Sequence, residues 1–211
     1  MGGLAVRRWL ALYGIALGLL VCFGCAKPKV WVPPRIDLHQ YGTLGLVEIR
    51  SGRGHGPMAT QRFLAMVHAA QAGVPVLELG PLPQVLQSVG QEKLGPDAVR
   101  AIGEKYGVDA LVVGDLDIDR PRPNFSVQSF AQASASADIL GTLNARILEV
   151  RSGATIWSNE ARGKRTIAHL NISAGHRPQF GAVDPDGEDT KLVAWLVDRI
   201  TGDFRGHWAR H

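Results

Sequence analysis

The stretch 108-VDALVVGDLDIDRP-121, followed after a polar insertion by 137-ADILGTLNARILEVRSGATIWSNEARG-163, decides how the rest of the chain is read. Val108–Gly114 is a continuous apolar run, the pattern of a strand buried on both faces. In the second piece Ile139, Leu143, Ala145 and Ile147 share one phase, with Thr142, Asn144 and Arg146 mostly opposite. That period of two marks a half-buried strand. Arg151-Ser152-Gly153 supplies a turn with a glycine free to take positive φ, and 155-TIWSNEARG-163 returns with Trp157 as its core anchor. Three neighbouring strands follow, the last two a hairpin.

Outward from this centre the periods change. Leu44–Ile49 and Val74–Leu79 are short apolar runs of strand character. Phe63, Met66, Val67 and Ala70 fall at spacings of three and four, a helical stripe. Leu82, Val85, Leu86 and Val89 make a second stripe behind Pro81, and Val99, Ile102 and Tyr106 a third that Gly107 stops. Near the C-terminus Val193, Leu196, Val197, Ile200 and Phe204 make a fourth. The expected fold is therefore α/β (α+β): one mixed sheet of about five strands flanked by helices, with a C-terminal amphipathic helix. Strands are expected near 44–50, 75–79, 109–118, 137–151 and 154–163, and helices near 58–72, 82–90, 96–106 and 190–206.

The N-terminus reads as an address. In 1-MGGLAVRRWLALYGIALGLLVCFGC-25 a basic start precedes an apolar run from Trp9 to Phe23, then Gly24-Cys25. That is a secretory signal, its apolar run short of the roughly 20 residues that span a bilayer. Gly24-Cys25 resembles the lipobox of bacterial lipoproteins, although Cys22 stands where leucine is usual and Phe23 where a small residue is. Cleavage would remove Cys22 and leave Cys25 acylated, so that neither thiol remains for a disulfide, which suits an oxidising envelope. Ala26 in place of an aspartate leans towards the outer membrane, facing the periplasm. The segments expected are a signal peptide over 1–24, a lipidated cysteine and short proline-bearing tether over 25–43, and a globular domain over 44–211.

Charge and motifs exclude several functions. The chain of 211 residues is 45% apolar with net charge +4. Residues 1–24 hold Arg7, Arg8 and no acid, so the remainder carries +2. No clustered basic face appears, which argues against nucleic acid. The glycines of 51-SGRGHGP-57 match no phosphate loop. Asp115, Asp117 and Asp119 would share one side of a strand, but Arg120 and Ser126 stand where a calcium loop needs Gly and Glu. They read as a solvated strand end with Arg120 and Arg122 as counter-charges. Asp189 or Thr190 reads as the cap of the last helix. The histidines at 39, 55, 68, 169, 176, 207 and 211 form no ligand spacing, and there is no GxSxG elbow. No catalytic residue, metal or cofactor is expected; His169 or His176 in a pocket beside a carboxylate would revive catalysis.

Tyr106-Gly107-Val108-Asp109-Ala110 leading into Val113-Gly114, and Arg151-Ser152-Gly153 leading into Ile156-Trp157, resemble the CsgG/LpoB-like envelope lipoproteins over about residues 40–208. The resemblance implies a fold like an anticodon-binding domain. It also implies one of two roles: subunit of an oligomeric secretion pore, or regulator of a cell-wall-synthesising penicillin-binding protein. The pore branch would place two membrane hairpins at Asp119–Ala137 and Lys164–Gly187. Read strand by strand these lack the large alternating apolar residues of a barrel wall, and the tether is short for reaching across the periplasm. The expectation is a non-catalytic, membrane-anchored binding or assembly module, held to lipid through Cys25, with an envelope protein or its own copies as partner.

Overall fold

The strand and helix periods resolve into a mixed sheet with helices on both faces. The computed structural model describes residues 29–120, 122–129, 132–173, 179–182 and 185–210. In chain order the strands are β1 (Lys29–Val32), β2 (Leu44–Glu48), β3 (Arg50–Ser51), β4 (Val76–Pro81), β5 (Ala110–Ile118), β6 (Arg122–Ser129), β7 (Gln132–Glu149), β8 (Thr155–Ser173), β9 (Gln179–Ala182) and β10 (His207–Arg210). The helices are α1 (Gly56–Ala70), α2 (Leu82–Ser88), α3 (Pro96–Tyr106) and α4 (Pro185–Ile200). The chain divides into two compact units. The smaller holds the described residues up to Pro33 and those from Gly206, with β1 and β10 paired antiparallel; the larger is Pro34–Arg205.

In the larger unit the body of the sheet runs β4-β2-β5-β7-β8. The first three strands are parallel, because helices carry the chain back between them. β7 joins β5 antiparallel, and β8 follows through the turn at Arg151–Gly153, where Gly153 takes φ 70°. Each sheet face buries its own helices. Phe63 and Val67 of α1 and Leu192, Val193, Leu196, Val197 and Ile200 of α4 cover Leu46, Ala110, Val112, Leu143, Ile147 and Trp157. On the opposite face Val85 and Leu86 of α2 and Val99 and Ile102 of α3 cover Val47, Leu111 and Val113. The apolar run at 110–113 is buried on both sides, as its pattern requires.

Two glycines set the distance between α4 and the sheet. A Cβ on Gly163 would lie 2.8 Å from the Trp195 ring, and one on Gly141 would lie 2.9 Å from both Ile118 and Leu196. The N-terminal segment is pinned by Gln71, which is buried at the end of α1. Its amide donates to the carbonyls of Ile36 (2.8 Å) and Phe204 (3.0 Å), and its oxygen accepts from the N–H of Leu38 (2.7 Å).

Three features depart from the expectations. β7 and β8 are far longer than 137–151 and 154–163, and β6 and β9 flank their extended halves. α4 covers Pro185–Ile200 instead of 190–206, so Asp189 and Thr190 lie inside it instead of capping it, and Thr201–Phe204 is a 3-10 turn. The Asp189 carboxylate instead meets Arg53 (3.5 Å) and His55 (3.4 Å) of the glycine-rich loop. Among the described residues no helix is long and apolar enough to cross a membrane, which leaves strands untested.

Candidate functional site: the four-stranded blade

The extended halves of β7 and β8, with β6 and β9 outside them, make a four-stranded antiparallel blade in the order β6-β7-β8-β9. Both hairpin segments flagged by the sequence, 119–137 and 164–187, contribute to it. β5 and β6 pair one after the other along the same edge of β7, β5 up to Ile118 and β6 from Arg122.

Residues directly opposite in an antiparallel ladder lie on the same face, so the register sorts the blade into rows. One row is Pro123, Ala137, Ala168 and Ala182; the next is Asn124, Ser136, His169 and Gly181. Then come Phe125, Ala135, Leu170 and Phe180, followed by Ser126, Ser134, Asn171 and Gln179. Val127, Ala133 and Ile172 follow, and Ser129, Gln132 and Ser173 close the series. Rows alternate, so the paired apolar positions fall on one face and the paired polar ones on the other.

One extra residue sets the β7–β8 part of this sorting, besides Gln128, which is extra in β6 because Val127 pairs with Ala133 and Ser129 with Gln132. Ala137 pairs with Ala168, but Asp138 pairs with Thr166, so Ile167 is an extra residue in β8. A one-residue slip exchanges the faces of a strand. Without the bulge, Ala137, Ala135 and Ala133 would face Ile167, His169 and Asn171. With it they meet Ala168, Leu170 and Ile172. The apolar face is also continuous with the body's core face, where Ile139, Leu143, Ala145 and Ile147 carry the same β7 phase under α4.

A charged collar marks the base of the blade. Asp138 is buried and accepts from Lys164 (3.1 Å) and Thr166 (2.7 Å). Arg122 pairs with Asp119 at 2.7 Å. Glu188, buried in α4, meets Lys191 at 2.6 Å and Arg165 at 3.7 Å.

The other flagged residues take ordinary places. Cys25 and His176 lie outside the described residues. Asp115 and Asp117 are exposed on β5, and Asp115 pairs with Arg50. His169 sits at a register position between Ser136 and Gly181. Among the described residues no group of three or more His, Cys, Asp or Glu side chains could hold a metal ion. A cleft of about 330 Å³ between α2 and the sheet, bordered by Val47, Leu82, Leu86, Leu94 and Val113, has neither histidine nor cysteine in its lining. The blade was hard to see in the sequence because β7 contributes only alanines to the apolar rows. The available signal was the phase change in β8, from Trp157, Ala161 and Gly163 to Ala168, Leu170 and Ile172.

No family model matches the chain, and no curated protein matches it. Its fold is similar to several solved structures. The PelC dodecamer subunit from Paraburkholderia phytofirmans is 10% identical with a TM-score of 0.43, over 88% of this chain and 100% of that one. The LpoB C-terminal domain from Salmonella enterica is 14% identical with a TM-score of 0.36, over 63% and 84%. Lipoprotein GNA1162 from Neisseria meningitidis is 15% identical with a TM-score of 0.36, over 75% and 97%. These are likenesses of fold, and the chemistry of the blade has to be read from this chain's own residues.

Proposed function

We propose that this protein is a lipid-anchored, non-catalytic component of the bacterial cell envelope that assembles with copies of itself, its blade forming one segment of a membrane-embedded β-barrel. The observation that carries this reading is the sorting of rows into one apolar and one polar face across all four strands. A barrel wall needs that division, with lipid outside and water inside. A binding module standing in the periplasm has no use for a whole apolar blade face.

The edges supply the need for copies. In hydrocarbon every unpaired backbone N–H and C=O costs several kcal/mol, so an inserted sheet must close. β9 of one copy would pair with β6 of the next, a head-to-tail contact that closes into a ring. Four strands per copy is an even number, so the up-and-down alternation continues across each junction. Six rows rise about 20 Å along the strand, somewhat less than the ~25 Å apolar band of known barrels. Phe130 and Ala131, between β6 and β7 in the sequence, add two further apolar residues. The collar of Asp138, Lys164 and Arg165 would mark the water boundary.

The test is particle sizing and planar-bilayer recording on the acylated protein extracted in mild detergent. The expected result is a ring with unit conductance steps. Leu170→Arg puts a charge on the apolar face, which costs about 2–4 kcal/mol at a bilayer midplane, and should abolish the steps without unfolding the body. Ser134→Arg, on the polar face, should keep insertion and change ion selectivity. A monomer without conductance would overturn the barrel and leave the envelope binding module as the reading.

A further inference from the structure

The ribbon of β1 and β10 leaves its largest side chains in water. Trp31 and Trp208 lie opposite one another, rings edge-on with centroids 5.4 Å apart, yet Trp31 is 48% and Trp208 63% exposed. Val30, on the other face, is 44% exposed. A two-stranded ribbon alone is marginally stable in water, so this one calls for a surface to lie against.

Its position along the chain names the surface. Lys29, the first residue of β1, is four residues from Cys25. Even fully extended, that stretch reaches at most ~14 Å, about twice the depth of one headgroup layer, so β1 starts within reach of the surface. The charge agrees. Residues 25–33 and 206–211 include Lys27, Lys29 and Arg210 and no aspartate or glutamate. The register sets Lys29 opposite Arg210 at the end of the ribbon nearest Cys25. Tryptophan favours the boundary between hydrocarbon and headgroups, where its ring is buried and its N–H stays wet. Basic residues beside it meet anionic phosphates.

We infer that the β1–β10 ribbon lies in the headgroup layer of the bilayer that holds the acyl chains of Cys25, with Trp31 and Trp208 at the hydrocarbon boundary, and so fixes residues 29–32 and 207–210 to one membrane. This rests on acylation of Cys25, as proposed above. It adds that the anchor consists of a paired ribbon as well as the acyl chains.

The experiment uses the full acylated protein in vesicles of phosphatidylethanolamine and phosphatidylglycerol whose acyl chains are brominated near the headgroup. Mass spectrometry of the N-terminal peptide first establishes acylation. The blade contains no tryptophan, so its insertion does not contribute to bromine quenching of tryptophan fluorescence. The expected result is strong quenching that is lost in the Trp31→Phe/Trp208→Phe double variant and kept in Trp195→Phe. Exchanging phosphatidylglycerol for phosphatidylcholine should weaken the quenching. Acylated protein whose quenching is absent, or unchanged in the double variant, overturns the ribbon contact and leaves the lipid anchor standing. Protein whose Cys25 carries no acyl chain overturns the anchor and the ribbon contact together.

Discussion

Trp157 shows what one residue holds in the body. It is 7% exposed, its ring centroid lies 4.9 Å from that of Phe204, and its Nε1 donates to the Asp203 carboxylate at 3.0 Å. Asp203 also accepts from Asn159 at 3.3 Å. Trp157→Ala therefore leaves a cavity and an under-used carboxylate, and should cost about 3–5 kcal/mol by urea titration. A loss below about 1 kcal/mol would remove Trp157 from the core. His39 acts differently because it is exposed. The Ala72 carbonyl, and then the Asp37 carboxylate, favour its imidazolium and raise its pKa. Asp37 accepts the His39 backbone N–H and then its ring, which lowers its own pKa. The stabilisation from His39 is full below the unfolded value of about 6.5 and fades as pH rises through the raised folded value. That from Asp37 is present above about 3.9 and fades as pH falls through the lowered one. An NMR titration should find the His39 midpoint above the ordinary histidine value, and Asp37→Asn should bring it down.

At the scale of elements, α4 and the β7–β8 pair depend on the absence of side chains at Gly141 and Gly163. Gly163→Val would drive a branched side chain into Trp195 and Leu192, and overpacking of this kind typically costs 1–3 kcal/mol. The thermal midpoint should drop accordingly. Trp195→Ala in the same chain should return part of the loss, since it removes one of the two obstructing side chains. If the double variant melts no higher than Gly163→Val alone, α4 does not sit on Gly163 as described. The period of three to four points to this helix, and its inward stripe Val193, Leu196, Val197 and Ile200 is wholly buried together with Phe204 in the turn that follows. Its start is expected near 190 because Asp189 or Thr190 reads as a cap. Asp189 answers to Arg53 and His55 instead, and Glu188 to Arg165 as well as to Lys191 one turn on; the first three partners are distant in sequence, and local pattern cannot supply them.

For the whole molecule, closure through β6 and β9 predicts a covalent ladder. Under the proposed cleavage before Cys25 and its acylation, introduced cysteines would be the only thiols. Gly181→Cys on β9, combined in turn with Asn124→Cys and Ser126→Cys on β6, should under mild oxidation give dimers, trimers and higher species on a denaturing gel. Each single variant should stop at dimers. Double variants that also stop at dimers would rule out head-to-tail pairing of these edges.

The sequence alone determined the body: strand and helix types, the central strand buried on both faces, the hairpin at Arg151–Gly153 and the four helical stripes. Each is encoded within a few residues, by a period of two or of three to four and by a turn glycine. It also carried the signal-like start and Cys25. Only the tertiary structure decided the blade. Its apolar face is assembled from Phe125 and Val127, the alanines 133, 135 and 137, Leu170 and Ile172, and Phe180, none of which makes a convincing wall in its own strand. The face exists because pairing register aligns them, and between β7 and β8 the register depends on the one extra residue at Ile167. The β1–β10 ribbon is the same case at greater range, since a pairing between residues 29–32 and 207–210 leaves no local mark in either segment.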